Sequence, residues 1–126
     1  MAVRHKVLLI DDSEISLHFA GSTLARAGYE VRTSSDVEFG AALGDWRPDV
    51  ILTDVQMPGM SGVELCRLLK SSYETAHVPV VLFSGLSNAE LEILARECEA
   101  DGFLSKANGL DQLPQELALL IESAVF

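Results

Sequence analysis

Short β-like runs, most of them apolar, alternate with helix-like segments five times along this chain, and that alternation narrows its fold more than any other feature. Runs that are apolar at consecutive positions suit strands covered on both faces. A helical segment between two such runs supplies the crossover that parallel strands need. The pattern predicts an α/β domain: one parallel sheet with helices on both sides. The ends of the runs carry the second message. Val7-Leu8-Leu9-Ile10 stops at Asp11-Asp12, Val50-Ile51-Leu52-Thr53 at Asp54, Val78-Pro79-Val80-Val81-Leu82-Phe83 at Ser84, and Gly102-Phe103-Leu104-Ser105 at Lys106. In neighbouring parallel strands these ends open onto the sheet edge where ligands bind in open α/β folds. Carboxylates crowded there repel one another unless a cation joins them. The residues therefore point to a divalent metal, an acidic acceptor and a lysine around one small anionic group.

Local signals place the elements. Strand one covers about 6–10; Ser13 caps a helix to Ala27, and Gly28 stops it. Tyr29 to Thr33 reads as strand two, and Asp36 caps a short helix ending near Gly44. Pro48-Asp49 breaks the chain before strand three at Val50–Thr53, and Met57-Pro58-Gly59-Met60 reads as a loop. Ser61 with Glu64, and Ser87 with Glu90, form capping boxes for the third and fourth helices. Strand four starts at Pro79, and strand five is brief, around Gly102–Leu104. Asp111 caps the last helix, whose buried stripe is Leu113, Leu117, Leu120, Ile121 and Ala124. With no linker or composition shift, residues 1–126 read as one domain.

Charge and cysteines exclude several function classes. Nine basic and 19 acidic residues give a formal net charge of −10, which disfavours direct binding to nucleic acid. Only Arg96 and Lys106 are basic after residue 70, so the C-terminal part offers an acidic surface. No apolar stretch is long enough to span a bilayer. Cys66 and Cys98 are isolated and the histidines do not cluster, which argues against zinc and for small core thiols in a reducing compartment. A cytoplasmic location is expected.

The segments Val7–Ser13, Pro48–Asp54, Met57–Gly62, Pro79–Gly85 and Ala100–Lys106, in that order and spacing, resemble the receiver domain of two-component response regulators, of the single-domain chemotaxis type. The resemblance covers nearly the whole chain. It implies a flavodoxin-like doubly wound sheet of five parallel strands in the order 2-1-3-4-5, with five helices. It implies that Asp54 is the phosphoacceptor. Asp11, Asp12, Asp54 and the backbone carbonyl of Gln56 would hold Mg²⁺ (or Mn²⁺). Lys106 would pair with the acceptor carboxylate and then with a phosphoryl oxygen, and Ser84 would donate its hydroxyl to another. Ser84 and Phe103 would form the switch, remodelling the face of the fourth helix, fifth strand and fifth helix. Gln56 and Leu86 border the phosphoryl group, where they would tune dephosphorylation. The implied partners are a histidine kinase or histidine phosphotransfer protein, docking near Ile15, Leu17 and Phe19, and a downstream protein target. Such a protein modifies itself and turns over no external substrate, so it is not counted as an enzyme.

The chain departs from its relatives at several places, among them Ser84 and Phe103, which replace the commoner threonine and tyrosine. Lys106 is followed by Ala107 where proline is usual, and a cis bond there would cost about 2.5–4 kcal/mol, so a trans bond is expected. Glu99 stands where a glycine often ends the fourth helix. The last helix has Gln112, Gln115, Glu116 and Glu122 in place of the basic residues of transcription-factor-type dimers, so a monomer is expected. Taken singly, each residue also has a plain reading. Asp11-Asp12 can cap a helix, Ser84 can be a turn residue, Lys106 a surface charge and Phe103 core. Two other functions compete: a receiver-like binding module independent of phosphorylation, and a metal-dependent phosphatase. The phosphatase needs an Asp-x-Asp pattern that Asp54-Val55-Gln56 lacks.

Overall fold

The computed structural model describes residues 5–35, 45–57, 60–72 and 75–123. Among the described residues seven strands occur in chain order: β1 (Lys6–Ile10), β2 (Glu30–Ser34), β3 (Val50–Thr53), β4 (Gln56–Met57), β5 (Met60–Ser61), β6 (Val80–Ser84) and β7 (Gly102–Ser105). Four α-helices are described: α1 (Glu14–Arg26), α2 (Gly62–Ser71), α3 (Asn88–Cys98) and α4 (Leu113–Ser123). The helix expected from Asp36 to Gly44 lies outside the described residues. The main sheet is parallel throughout and runs β2-β1-β3-β6-β7. With the small β4–β5 ribbon left out of the count, its five strands stand in the order 2-1-3-4-5. The fold is the expected flavodoxin-like α/β class.

Strand alternation splits the core into two layers. Leu8, Ile10, Ile51 and Leu82 face one side, against Leu65, Cys66 and Leu69 of α2 and Leu91, Ala95 and Cys98 of α3. Val7, Leu9, Val50, Leu52, Val81 and Phe83 face the other, against Leu17, Ala20 and Leu24 of α1 and Leu113 and Leu117 of α4. This is why the central strands β1, β3 and β6 are apolar with almost no gap. Truncating any of the fully buried leucines to alanine would cost about 2–5 kcal/mol.

The caps follow local chemistry. The hydroxyl oxygens of Ser13, Ser61 and Ser87 accept hydrogen bonds from the amides of Ser16, Glu64 and Glu90, each at 3.2 Å. Gly28, at φ 103°, turns the chain after α1. Glu99 ends α3 in the left-handed conformation, φ 58° and ψ 36°, so the helix stops in the glycine manner without a glycine.

Two local expectations are corrected. Met57 and Met60 belong to a short antiparallel ribbon, in which Gln56 pairs with Ser61 and Met57 with Met60. The last helix starts at Leu113, not at an Asp111 cap. Gly109, at φ 91°, redirects the chain, and Leu110–Gln112 forms a separate 3₁₀ turn before Pro114 enters as the second helical residue.

Candidate functional site

Strand register brings the polar ends together. Ile10 pairs with Thr53, Thr53 with Leu82, and Ser84 with Ser105. Asp11, Asp54, Ser84 and Lys106 therefore emerge at one edge, from four strands adjacent in the sheet. Asp54 leaves the central strand, flanked by β1 and β6. Its amide donates to the Ile10 carbonyl at 2.9 Å, fixing it beside the Asp11 turn.

Asp11, Asp12 and Asp54 each present a carboxylate oxygen within 4.8 Å of the others'. Asp11 and Asp54 are buried, and Asp12 is exposed. Asp54 Oδ1 accepts the amides of Val55 at 2.8 Å and Gln56 at 3.3 Å. Asp11 Oδ1 accepts the Ser13 amide at 2.9 Å, while its Oδ2 meets Lys106 Nζ at 2.6 Å. The lysine thus sits on Asp11 and not, as expected, on the acceptor carboxylate. Each buried carboxylate gives its Oδ1 to backbone amides, and it is the Oδ2 of Asp11 that the ammonium meets.

The two buried acids are pushed in opposite directions. Burial raises the Asp54 carboxyl, and the Asp11 charge adds to it, outweighing the Lys106 charge and the Gln56 and Val55 amides. Burial also acts to raise Asp11, but the Lys106 hydrogen bond, the Ser13 amide, the Lys106 charge and the Ser16 hydroxyl together hold it below the usual carboxylate range. An all-oxygen set of three clustered carboxylates fits a hard divalent cation, which would relieve that repulsion.

The remaining residues singled out from the sequence differ in burial. Ser84 is fully buried, and its Oγ accepts the Leu86 amide at 3.4 Å. Gln56 is exposed, and Leu86 is half-buried against the core. Phe103 is half-buried too, packed on the same core layer as Leu82. The Lys106–Ala107 peptide is trans, since no described peptide bond is cis. On α1, Leu17 is buried while Ile15 and Phe19 are 71% and 55% exposed.

Two residues escaped the sequence reading. Ser105 is buried beside Ser84 and bonds to Leu86 and Ala107. A serine before the lysine carries no signal of its own; only the register exposes it. Gly62, the first residue of α2, leaves no room for a side chain. A Cβ there would stand 2.5 Å from Val55 Cβ and 2.9 Å from Val55 Cα, in the segment that positions Asp54. Its place after the Ser61 cap was legible, but its contact was not.

Comparison with known proteins agrees with this geometry. Residues 7–118 match the family described as the response regulator receiver domain. The chain is 38% identical over 102 residues to "Response regulator PleD" of Caulobacter vibrioides, covering 80% of this chain and 22% of that protein. It thus spans about a fifth of that relative's length. It is 30% identical over 101 residues to the polar-differentiation response regulator DivK of Brucella anthropi, covering 79% of this chain and 82% of that one. The solved structure of the chemotaxis response regulator CheY4 of Vibrio cholerae superposes with a TM-score of 0.80 at 29% identity, covering 94% of this chain and 99% of that one. With its sheet order, its clustered acids and this family match over most of its length, the chain belongs to the response regulator receiver domains.

Proposed function

We propose that this receiver accepts a phosphoryl group on Asp54 from a phosphohistidine, with Mg²⁺ or Mn²⁺ as cofactor. The observation that carries the reading is the convergence of Asp11, Asp12 and Asp54 within 4.8 Å, with Lys106 on Asp11 and Ser84 at the end of the adjacent strand β6. A carboxylate oxygen of Asp54 would attack phosphorus in line as the P–N bond breaks, its electron pair leaving with the imidazole. Such transfers depend on placement and charge neutralisation. Asp11, Asp12, Asp54 and the Gln56 carbonyl would hold the metal, which supplies neutralisation of the phosphoryl oxygens. The amides of Val55 and Gln56 orient Asp54. Lys106 would exchange Asp11 for a phosphoryl oxygen, and Ser84 would donate to another. The new group adds about −1.5 to −2 charge and strong acceptors, enough to draw both residues toward it.

The displacement of Ser84 would free space for Phe103 and remodel the face made by α3, β7 and α4, where a downstream protein binds. The exposed Ile15 and Phe19 of α1 suit docking of the histidine-bearing partner. The acidic balance favours contacts with proteins over nucleic acid, and the reading includes a cytoplasmic monomer, since the last helix lacks the basic residues of a transcription-factor-type dimer face. Gln56 and Leu86 would set the lifetime of the phosphorylated state. The protein modifies itself without turning over an external substrate.

The test is incubation with Mg²⁺ and a small phosphoryl donor, read by intact mass, for the wild type and Asp54→Ala. Phosphorylation in the wild type alone is expected. An unmodified wild type that also ignores beryllofluoride would favour a phosphorylation-independent binding module.

A further inference from the structure

We propose that Ser105 is a positioning residue whose hydroxyl latches the Ser84–Leu86 loop to the Lys106 turn and restrains the loop movement that loading of Asp54 requires. The inference rests on the phosphoacceptor reading above and adds a residue to which that reading gives no role. Ser105 is buried at the end of β7, paired in register with Ser84. Its Oγ donates to the Leu86 carbonyl at 2.6 Å and accepts the Ala107 amide at 3.2 Å. One hydroxyl can do both, having one proton and two lone pairs. Capping the 3₁₀ turn Lys106–Asn108 explains the bond to Ala107. It does not explain the shorter bond, which crosses 19 residues of sequence to a neighbouring loop.

The bonds form a continuous tie. The Ala107 amide holds Ser105 Oγ, Ser105 holds the Leu86 carbonyl, and the Leu86 amide holds Ser84 Oγ. Ser84 and Lys106, the two side chains expected on the phosphoryl oxygens, are thereby tied through their neighbours' backbones. A proline at position 107 would have no N–H to give. Ala107, a departure at the sequence level, is thus one half of the latch. A shift of Ser84 toward the phosphoryl group carries Leu86 with it and stretches the Ser105–Leu86 bond.

The test is a titration of the full chain with beryllofluoride and Mg²⁺, for the wild type, Ser105→Ala and Ser105→Thr. A buried hydrogen bond lost on activation predicts that Ser105→Ala binds about two- to tenfold tighter. Ser105→Thr, which restores the hydroxyl, should return to the wild-type value. Unchanged or weaker binding by Ser105→Ala, or a threonine variant that behaves as alanine, overturns the latch. Hydrogen exchange of the Ala107 amide without ligand gives a readout independent of Asp54. It should quicken in Ser105→Ala and not in Ser105→Thr, and unchanged exchange in the alanine variant overturns the latch. If no variant takes up beryllofluoride, the phosphoacceptor reading has failed, and the exchange still decides whether the latch exists.

Discussion

Lys106 reaches from the end of β7 across two strands to Asp11, with Nζ 2.6 Å from Oδ2, and leaves Asp54 without a direct ion pair from it. Its ammonium passes 5.3 Å from the Phe83 ring centroid on the way. Its charge still lowers Asp54, though less than burial raises it. In Lys106→Met, both carboxyls should therefore titrate higher than in the wild type. Carboxyl ¹³C NMR in chelator-treated buffer checks this, and a Lys106→Met protein with both acids unmoved would contradict it.

The pH dependence of stability should carry the mark of Asp54. In the unfolded chain its carboxyl titrates near 3.8, and in the folded chain above that. Between those values the folded state holds more protons, so stability falls as pH rises through the window. Asp54→Asn removes that penalty. Without metal it should melt above the wild type at neutral pH, and the gap should close as pH falls to about 3.8. Asp11 works in the opposite sense: its depressed carboxyl contributes stability above 3.8 that is lost as pH falls through its folded value.

Gly62→Ala should destabilise the fold. The added methyl would meet Val55 side chain and backbone at under 3 Å, and overpacking of this kind costs about 1–3 kcal/mol. Denaturant unfolding measures the loss. Because Val55 follows Asp54, amide shifts of Val55 and Gln56 should move as well, and a variant of wild-type stability would show that the helix start yields freely.

Glu99→Gly should stabilise. A non-glycine residue in the left-handed region costs roughly 1–2 kcal/mol, and glycine gives back part of that in unfolded-state entropy. A net gain of about 0.5–1 kcal/mol is expected, visible as a higher midpoint in urea at unchanged slope. Glu99→Ala, which keeps the strain, should show no such gain.

The thiols should resist modification in the native state. Burial and the neighbouring Cys98 push the Cys66 thiol up to about 12, and its Sγ lies 3.2 Å from the Cys98 carbonyl. Reaction with a thiol reagent should follow global unfolding, so that denaturant accelerates it in step with the unfolded fraction. Rapid labelling of the native protein would contradict this.

Much of the fold was legible in the residues because its signals are local. Consecutive apolar residues in β1, β3 and β6 require cover on both faces, and Ser13, Ser61 and Ser87 cap their helices through amides three residues on. The same runs, with the short run of β7, named Asp11, Asp54, Ser84 and Lys106 as strand-end residues. The start of α4 was misplaced because its turn depends on the backbone of Gly109, which admits several conformations until tertiary packing selects one.

The sequence by itself determined the α/β class and the identity of the polar groups at the sheet edge, since periodicity and capping act over a few residues. Only the tertiary structure decided how those groups pair. Register set Ser105 beside Ser84, and the crossing of strand ends gave Lys106 to Asp11. Contacts spanning 19 and 95 residues of chain depend on where whole strands lie, and no local pattern encodes them.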